Sequence, residues 1–258
     1  MAAGELKIDA RRKKILEILK RDGQVRVAKL SEELGATTVT IRSDLDALEH
    51  DGYLERIQGG AVQTVKNYYN LDFLRRKQEN SDIKKNIASA ASDIIRDGDT
   101  ILINSGTTTY YTAVELKKHK NLNIVTNSLM VAVELGAFPS FRVILLGGEI
   151  NAQYSFTYGN DAQEQLRRYK AEYAILSMDG ICVDNGLTTY HAEEAVMDKM
   201  MMERAKETII VADSSKIGRE GFSRVSELSM AGKLVTDFNA DEQIVKRIKE
   251  MGVEVVYG

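Results

Sequence analysis

The sequence has little cysteine and no long apolar run. Cys182 is the single cysteine among 258 residues, so the chain cannot form an internal disulfide. No apolar run approaches the roughly 20 residues that a membrane span needs, and Met1 to Arg12 contain no apolar signal core. We therefore expect a globular, cytoplasmic protein with no membrane partner. Its hydrophobic fraction of 43% suffices for one large domain or two ordinary ones.

The chain also lacks the positive charge typical of nucleic-acid-binding proteins. Lysine and arginine number 35 against 38 aspartate and glutamate, which gives a formal net charge of -3. Residues 1–62 are balanced as well, with eleven basic and eleven acidic residues. The placement is uneven, because Arg11 to Lys14 form a cationic cluster at the start of the first predicted helix. Charge alone is thus a weak indication of DNA binding.

Residues 1–65 are predicted to form a winged helix-turn-helix domain that opens with three short helices. Gly35 and Ala36 predict a tight turn before the third helix. The hydroxyl of Thr37 or Thr38 can cap that helix. The apolar stripes that predict the three helices are Ile15, Ile18 and Leu19, then Val27, Leu30 and Leu34, then Ile41, Leu45 and Leu48.

The third predicted helix has a polar face suited to DNA. At about 100° per residue its apolar side chains share one arc, so Val39 and Ser43 point the opposite way. Thr40 and Arg42 then lie on the flanks. Small side chains let a helix enter the major groove, and an arginine there can reach a guanine edge or a phosphate.

A predicted β-hairpin follows the helices as the wing. Residues 53–57 and 61–65 have strand character, and Gly59 with Gly60 forms the turn between them. We expect Arg56 and this glycine turn to contact the adjacent DNA backbone or minor groove. On periodicity alone, a small helical domain that contacts other proteins remains an open alternative.

Residues 66–80 are predicted to be a polar, tyrosine-rich linker, and residues 81–258 an α/β domain. Short apolar strands alternate there with helical stretches, which is typical of a largely parallel sheet covered by helices. The predicted strands are Thr100 to Ile103, Leu122 to Val125, Val143 to Leu146, Tyr173 to Leu176, Thr208 to Val211, Lys233 to Val235 and Val253 to Val256. The predicted helices include Thr109 to Lys118, Leu129 to Leu135, Ala162 to Arg168, Ala192 to Arg204 and Asp241 to Met251.

Small polar residues follow these strands at the edge where open α/β sheets bind ligands. The first strand is followed by Asn104, Ser105, Gly106, Thr107 and Thr108, and then by a helix. Glycine allows close backbone approach, hydroxyls donate hydrogen bonds, and a helix N-terminus favours an anion. The turn is therefore a candidate phosphate cradle, although the same residue types can serve only to cap the helix.

Later strand ends add further candidate ligand-binding residues. Lys216 can supply a cation for a phosphate, while Asp179 and Glu193 can accept hydrogen bonds from sugar hydroxyls. Each of these residues could instead have a purely structural role. Gly147 and Gly148 could simply form a turn, and a single lysine is often a solvated surface residue. The later candidates are Thr126, Asn127, Gly147, Gly148, Asp179, Gly180, Glu193 and Lys216.

Two stretches resemble the winged helix-turn-helix signature of the DeoR family. They are KLSEELGATTVTIRSDLDAL at residues 29–48 and LERIQGGAV at residues 54–62. The family usually has two adjacent arginines where this chain has Arg42 and Ser43, so we expect its operator preference to differ from that of relatives. The resemblance places Thr37, Thr38, Thr40, Arg42 and Ser43 at DNA-recognition positions.

The motifs NSGTTT, VTNS, LLGGEI, DGI, GLTT and ADSSKIGR, in this order and spacing, resemble the DeoR family's C-terminal sensor domain. The resemblance implies a Rossmann-like fold similar to those of ribose 5-phosphate isomerase and glucosamine 6-phosphate deaminase, used for binding rather than turnover. Asn104 stands where the family commonly has aspartate, and Ser177 and Met178 stand where smaller residues are usual. Both departures are expected to reshape the sugar end of the site.

The resemblance implies a repressor of a sugar catabolism or transport operon. It would bind double-stranded operator DNA as a homo-oligomer and respond to a small phosphorylated sugar, with no cofactor, metal or catalytic residue. One alternative is an isomerase or deaminase that uses Asp179, Asp184 or Glu193 as a base. Another is a sensor of an unphosphorylated ligand.

Overall fold

The chain divides into two compact units, residues 1–71 and residues 72–258. The computed structural model describes residues 10–22, 24–50, 53–62, 73–152 and 154–258. The predicted end of the second wing strand, 63–65, and residues 66–72 of the predicted linker lie outside this part of the chain. Among the residues that the structure describes, no helix is both long and apolar enough to span a membrane.

The first unit is a winged helix-turn-helix, as predicted. Its antiparallel sheet has the order β1-β3-β2, and the N-terminal strand β1 is an element that the sequence analysis did not predict. The buried apolar core of this unit includes Ile15, Leu30 and Ile41, one from each of the three predicted stripes. The elements are α1 (Ala10–Asp22), β1 (Gln24–Arg26), α2 (Val27–Leu34), α3 (Thr38–His50), β2 (Glu55–Ile57) and β3 (Gly60–Val62).

The turn between α2 and α3 has the geometry that its residues predict. Gly35 has φ +61°, in the left-handed region that glycine adopts without a steric penalty, and it ends α2. Thr37 Oγ1 accepts a hydrogen bond from the Thr40 N–H at 3.2 Å, so Thr37 caps α3. These two residues fix the direction in which α3 leaves the turn.

A buried ion-pair cluster joins α1 to α3. Arg11 Nε lies 2.5 Å from Asp44 Oδ2, and Arg12 Nε lies 3.0 Å from Asp44 Oδ1. Asp44 is only 3% exposed. Burial acts to raise the pKa of Asp44, but the hydrogen bonds and charges of the two arginines outweigh it and lower that pKa. Two members of the predicted cationic cluster therefore stabilise the fold of this unit.

Gly60 is required by the wing, because a Cβ there would collide with the carbonyl oxygen of Val25 on β1. That oxygen belongs to the backbone, so relief requires a shift of the strand pairing. We expect Gly60→Ala to lower the free energy of unfolding of this unit by about 2 kcal/mol. Hydrogen exchange of the β1 and β3 amides in the full chain measures it. Gly136→Ala, which meets nothing within 4 Å, is the control, and unchanged β1 protection in Gly60→Ala would contradict the prediction.

The second unit is built on a parallel sheet with the order β15-β14-β12-β9-β4-β5-β6, as the strand pattern predicts. From β4 the chain runs outward to β6, then returns to β9 on the other side of β4 and runs outward to β15. The loops that leave β4 and β9 therefore diverge, which makes this pair the switch point where open sheets bind ligands. The strands are β4 (Thr100–Ile103), β5 (Asn123–Thr126), β6 (Arg142–Leu145), β9 (Ala171–Leu176), β12 (Ala205–Val211), β14 (Lys233–Thr236) and β15 (Glu254–Tyr257).

Apolar cores cover both faces of this sheet, and helices pack on them. Two smaller antiparallel sheets, β7-β8 and β10-β11-β13, were not predicted, because their strands do not alternate with helices as those of the parallel sheet do. The remaining strands are β7 (Glu149–Asn151), β8 (Phe156–Tyr158), β10 (Gly180–Cys182), β11 (Gly186–Thr189) and β13 (Ser223–Ser226). The helices are α4 (Phe73–Gln78), α5 (Ser81–Ser92), α6 (Thr107–Glu115), α7 (Leu129–Gly136), α8 (Asn160–Leu166), α9 (Ala192–Arg204) and α10 (Glu242–Glu250), with 3-10 turns at Leu116–Lys118, Ser214–Lys216 and Leu228–Met230.

Helix α4 lies within the stretch that the sequence analysis assigned to the linker. Phe73 is 5% exposed, and its ring lies edge-on to the Tyr110 ring with centroids 5.7 Å apart. This aromatic contact gives a six-residue helix a packed face, which is why the end of the predicted linker is ordered as part of the second unit.

Candidate functional site

The outward face of α3 is available for contact with DNA. Val39 is 71% exposed, and Arg42 and Ser43 are exposed beside it. The hydroxyls of Thr37 and Thr40 lie 2.9 Å apart and form the helix cap. Among the predicted recognition residues, these two hydroxyls are therefore already used within the protein.

The two predicted wing residues, Arg56 and Gly60, also have contacts within this unit. Arg56 Nε lies 3.3 Å from Asp46 Oδ1, and the Arg56 N–H donates to Glu49 Oε1 at 2.9 Å. Because its side chain pairs with α3 and is only 23% exposed, Arg56 holds the wing to the helix. Gly60 is buried in β3 and serves the strand pairing. Gly59, with φ +77°, forms the exposed turn instead.

In the second unit, the turn after β4 closely approaches the turn after β9. A Cβ at Gly106 would collide with Ser177 Oγ, so glycine permits this approach. Gly106 also precedes α6 without any side-chain cap. The first-turn N–H groups of α6, including those of Thr107 and Thr108, have no partner within the helix and carry its positive dipole end. This is the geometry expected of an anion cradle.

A cluster of three acidic side chains lies beside this cradle, two of them buried and the third, Asp179, 11% exposed. Ser105 Oγ donates to Glu194 Oε1 at 3.0 Å. Thr189 Oγ1 lies 2.7 Å from Glu194 Oε2 and 3.1 Å from Asp179 Oδ2, so one hydroxyl bridges the two acids. Asp198, one helical turn after Glu194 on α9, is fully buried. We call Asp179, Glu194 and Asp198 the acid cluster.

The three acids differ in protonation. Burial, together with the charge of Asp179, raises the pKa of Glu194 to about 7. Burial and the charge of Glu194 also hold the pKa of Asp198 well above its usual value. Burial acts to raise the pKa of Asp179, but Arg76 and Lys216 lower it below its usual value. Near neutral pH Asp179 is thus an ionised acceptor, whereas Glu194 is close to its midpoint.

Cationic side chains surround Asp179. Arg76 Nη2 lies 3.3 Å from Asp179 Oδ1, and its guanidinium carbon is 5.6 Å from the Tyr154 ring centroid. Burial lowers the pKa of Lys216, and the charge of Asp179 opposes that shift, so the two groups interact electrostatically. The site combines positive and negative groups in a partly buried setting, as expected for a ligand that has both an anionic group and hydroxyls.

Asn104 has a positioning role in the structure. It is fully buried, and its Nδ2 donates to both Asp198 Oδ1 and the Ser177 carbonyl at 3.0 Å. Its Oδ1 accepts from the Ser177 N–H at 3.0 Å. Because both amide hydrogens are used, Asn104 ties the ends of β4 and β9 together. The predicted direct contact of this side chain with a ligand does not fit this arrangement.

Four other predicted ligand residues lie at the ends of β5 and β6. Thr126 Oγ1 accepts from the Ser128 N–H, and Asn127 Nδ2 donates to the Thr157 carbonyl, both within the protein. Gly147 donates its N–H to Gln165 Oε1, and a Cβ at Gly148 would collide with the Tyr158 carbonyl oxygen. The contacts of the two glycines are those of a packed turn on the outermost strand, β6, which is two strands from β4.

The predicted acid on α9 is one residue from the one that the structure places in the site. Glu193 is exposed, whereas Glu194 is 8% exposed and belongs to the acid cluster. Side chains of successive helical residues point in directions about 100° apart around the helix axis, so only one of the two can face the sheet edge. Gly180 is close-packed, because a Cβ there would meet Thr188 Oγ1 at 2.5 Å.

Several residues of this site were not predicted from the sequence. Glu194 and Asp198 carry a recognisable signal, because they are four residues apart on the buried face of α9 that also carries Met197 and Met201. Arg76 lies in the segment predicted to be a linker and had no such signal. The missed residues are Arg76, Tyr154, Thr189, Glu194 and Asp198.

A winged helix-turn-helix joined to an α/β unit with a polar site at its switch point defines a DNA-binding regulator with a sensor domain. Residues 11–66 match the family model of the DeoR-like helix-turn-helix domain, and residues 79–238 match that of the DeoR C terminal sensor domain. The chain belongs to the DeoR family of transcriptional regulators.

Similar proteins extend over nearly the whole chain. It is 34% identical to the transcriptional regulator YulB of Bacillus subtilis, over 95% of this chain and 95% of that protein. It is 32% identical to the lactose phosphotransferase system repressor of Lactococcus lactis, over 93% and 95%. The glycerol-3-phosphate regulon repressor of Escherichia coli is 31% identical, over 86% and 88%. Among solved structures, ribose 5-phosphate isomerase A of Methanocaldococcus jannaschii matches with a TM-score of 0.40 at 16% identity, over 54% of this chain and 55% of the isomerase.

Proposed function

We propose that this protein is a cytoplasmic repressor of a sugar catabolism or transport operon and that a phosphorylated sugar weakens its binding to operator DNA. The observation that supports the sugar phosphate is the acid cluster beside the N-terminus of α6, where Arg76 pairs with Asp179 and the charge of Asp179 acts on Lys216. Relatives whose names describe repressors of a sugar transport system and of a glycerol-3-phosphate regulon support the same choice.

In this proposal the two ends of the ligand bind different parts of the site. The phosphate accepts hydrogen bonds from the first-turn N–H groups of α6 and pairs with Lys216. The sugar hydroxyls donate to Asp179 and Glu194, whose carboxylates are otherwise held by Thr189 and Ser105. The protein binds DNA as a homo-oligomer, because two recognition helices match two operator half-sites.

A ligand titration tests the proposal. The full chain is bound to a labelled DNA fragment from upstream of its own gene, and fluorescence anisotropy follows its release. The panel comprises glycerol 3-phosphate, ribose 5-phosphate, glucose 6-phosphate, fructose 1-phosphate and glucosamine 6-phosphate, each with its unphosphorylated counterpart. We expect one phosphorylated compound to weaken binding by about 5- to 150-fold, the usual range of such coupling. Sequence-specific binding that none of the compounds alters would contradict the ligand switch.

Arg42 is expected to contribute strongly to operator affinity, because it is exposed on the recognition face of α3. We expect Arg42→Ala to weaken specific binding by about tenfold or more, the cost of one good arginine contact with a guanine. Lys206→Ala removes the same charge from an exposed site in the second unit and is the control. Equal losses in the two variants would show that Arg42 contributes only net charge.

One observation favours an enzyme as the second candidate. Glu194, with its pKa raised to about 7, has the acidity of a general base near neutral pH. We propose binding without turnover, because a helix-turn-helix unit has no use in an isomerase or deaminase. Steady-state assays with ribose 5-phosphate and glucosamine 6-phosphate decide between the two, and a turnover of about one per second or more would establish the enzyme.

A further inference from the structure

Helix α4 is docked on α6, the helix whose first turn forms the proposed phosphate cradle. The edge-on contact between Phe73 and Tyr110 anchors its first residue. Lys77 Nζ lies 4.1 Å from the Tyr110 ring centroid, a cation–π contact. The Tyr111 hydroxyl donates to the Lys77 carbonyl at 3.0 Å. One side of the site is thus formed by the first described element after the DNA-binding unit.

A buried lysine holds the end of α4 in place. Lys84 Nζ donates to the carbonyl oxygens of Arg76 at 2.6 Å and of Glu79 at 2.7 Å. Lys84 is only 5% exposed, and burial lowers its pKa to about 8. These hydrogen bonds fix the backbone of Arg76 beside the site. The Arg76 side chain then reaches Asp179.

The two carboxylate oxygens of Asp179 differ in their hydrogen-bond partners and distances. Oδ2 accepts from Thr189 Oγ1 and from the Tyr190 N–H, both at 3.1 Å. Oδ1 has Arg76 Nη2 at 3.3 Å, which is longer than the about 2.7–2.9 Å of a strong charge-assisted hydrogen bond. A sugar hydroxyl that donates to Asp179 therefore reaches Oδ1, the oxygen that also contacts Arg76.

We propose that Arg76 couples the sugar site to the DNA-binding unit: a ligand hydroxyl takes Asp179 Oδ1 from Arg76, and loss of this contact loosens the docking of α4, which Tyr110, Tyr111 and Lys84 otherwise hold. Helix α4 is the first described element after β3 of the wing, so the proposed signal leaves the second unit along the chain. A ligand shifts an equilibrium only by binding one arrangement better than the other, and competition for one oxygen supplies such a difference. The inference rests on the proposed function, whose regulation it describes.

The test is Arg76→Gln in the full chain, with the panel compound that releases the unmodified protein from its operator. We expect the variant without that compound to bind the operator as weakly as the unmodified protein at saturating compound, to within about threefold. Adding the compound to the variant should change operator affinity by less than about threefold. Calorimetry should show that the compound binds the variant more tightly, because its competitor for Oδ1 has been removed.

Two results would overturn the inference while the proposed function stands. One is an Arg76→Gln variant that has the operator affinity and the full ligand response of the unmodified protein. The other is a loss of affinity for the compound by about tenfold, which would make Arg76 a direct ligand contact. If no compound alters operator binding by the unmodified protein, the proposed function itself fails.

Two further variants complete the design. Lys85→Gln removes an exposed positive charge that pairs with Asp82 on α5, and we expect it to behave as the unmodified protein. Asp179→Asn weakens the same contact from its other side and should lower operator affinity without any ligand, as Arg76→Gln does. If Arg76→Gln melts below the assay temperature, the operator affinity of Asp179→Asn decides the question, and an unchanged affinity would overturn the inference.

Discussion

Glu194→Gln is expected to weaken sugar-phosphate binding by about 30-fold at pH 8, whereas Glu193→Gln leaves it within about twofold. The two acids are adjacent in sequence, but only Glu194 is buried in the acid cluster. A carboxylate that accepts a hydrogen bond from a ligand hydroxyl is worth about 1.5–3 kcal/mol, and an amide does not replace its charge. Isothermal titration calorimetry on the full chain measures both variants with the compound identified in the panel.

The same pair of variants gives a pH test. Because the pKa of Glu194 is raised to about 7, the fraction of ionised acceptor increases between pH 6 and pH 8. Affinity of the unmodified protein and of Glu193→Gln should therefore increase with pH across this range. The phosphate group of the ligand also titrates in this pH range. Its effect on affinity is the same for both variants, so the comparison with Glu193→Gln removes it. A Glu194→Gln variant with the affinity and pH profile of Glu193→Gln would remove Glu194 from the site.

Asp44→Ala is expected to destabilise the first unit by about 2–3 kcal/mol. Asp44 is nearly fully buried and binds two arginines, so its removal leaves Arg11 and Arg12 without their shared acceptor. We place the value below the usual cost of breaking a buried pair, because the arginine side chains are 33% and 32% exposed. Hydrogen exchange of α1 and α3 amides in the full chain reports the loss for this unit alone.

The pH dependence of this stabilisation has a definite sign. The pKa of Asp44 is lowered in the folded unit, so its contribution is complete above the unfolded-state value of about 3.9 and is lost as pH falls through the lower folded value. Asp46→Ala, on the same helix with a side chain 64% exposed, is the matched control and should cost less than about 1 kcal/mol. Equal effects of Asp44→Ala and Asp46→Ala would show that the cluster contributes no more than a surface pair.

The parts of the fold that follow from local patterns were predicted well. The apolar stripes at helical spacing locate α1 to α3, and the alternation of strands and helices locates the parallel sheet. Strands β10, β11 and β13 escaped prediction because they do not alternate with helices along the chain as the strands of the parallel sheet do. Helix α4 escaped because its buried anchor Phe73 has its partner, Tyr110, far away in the sequence.

The residues of the candidate site also fall into two groups, those that a local sequence pattern predicts and those that tertiary packing decides. The turn from Ser105 to Thr108 could be located from the sequence, because small polar residues between a strand and a helix are a local signal. The distinction between Glu193 and Glu194 depends on which side of α9 faces the sheet, and that is decided by tertiary packing. Arg76 reaches Asp179 across 103 positions of the chain, so no local pattern could pair them.

The bond between Asn104 and Asp198 limits how this protein can vary during evolution. An aspartate at position 104 would bring two buried carboxyl groups within 3.0 Å of each other, with the amide donor lost. Asp198 Oδ2 has no partner among the described residues, so only a proton shared between the two carboxyl groups could replace the lost amide donor. A lineage that exchanges the residue at 104 should therefore also exchange the one at 198, and we expect the two positions to covary.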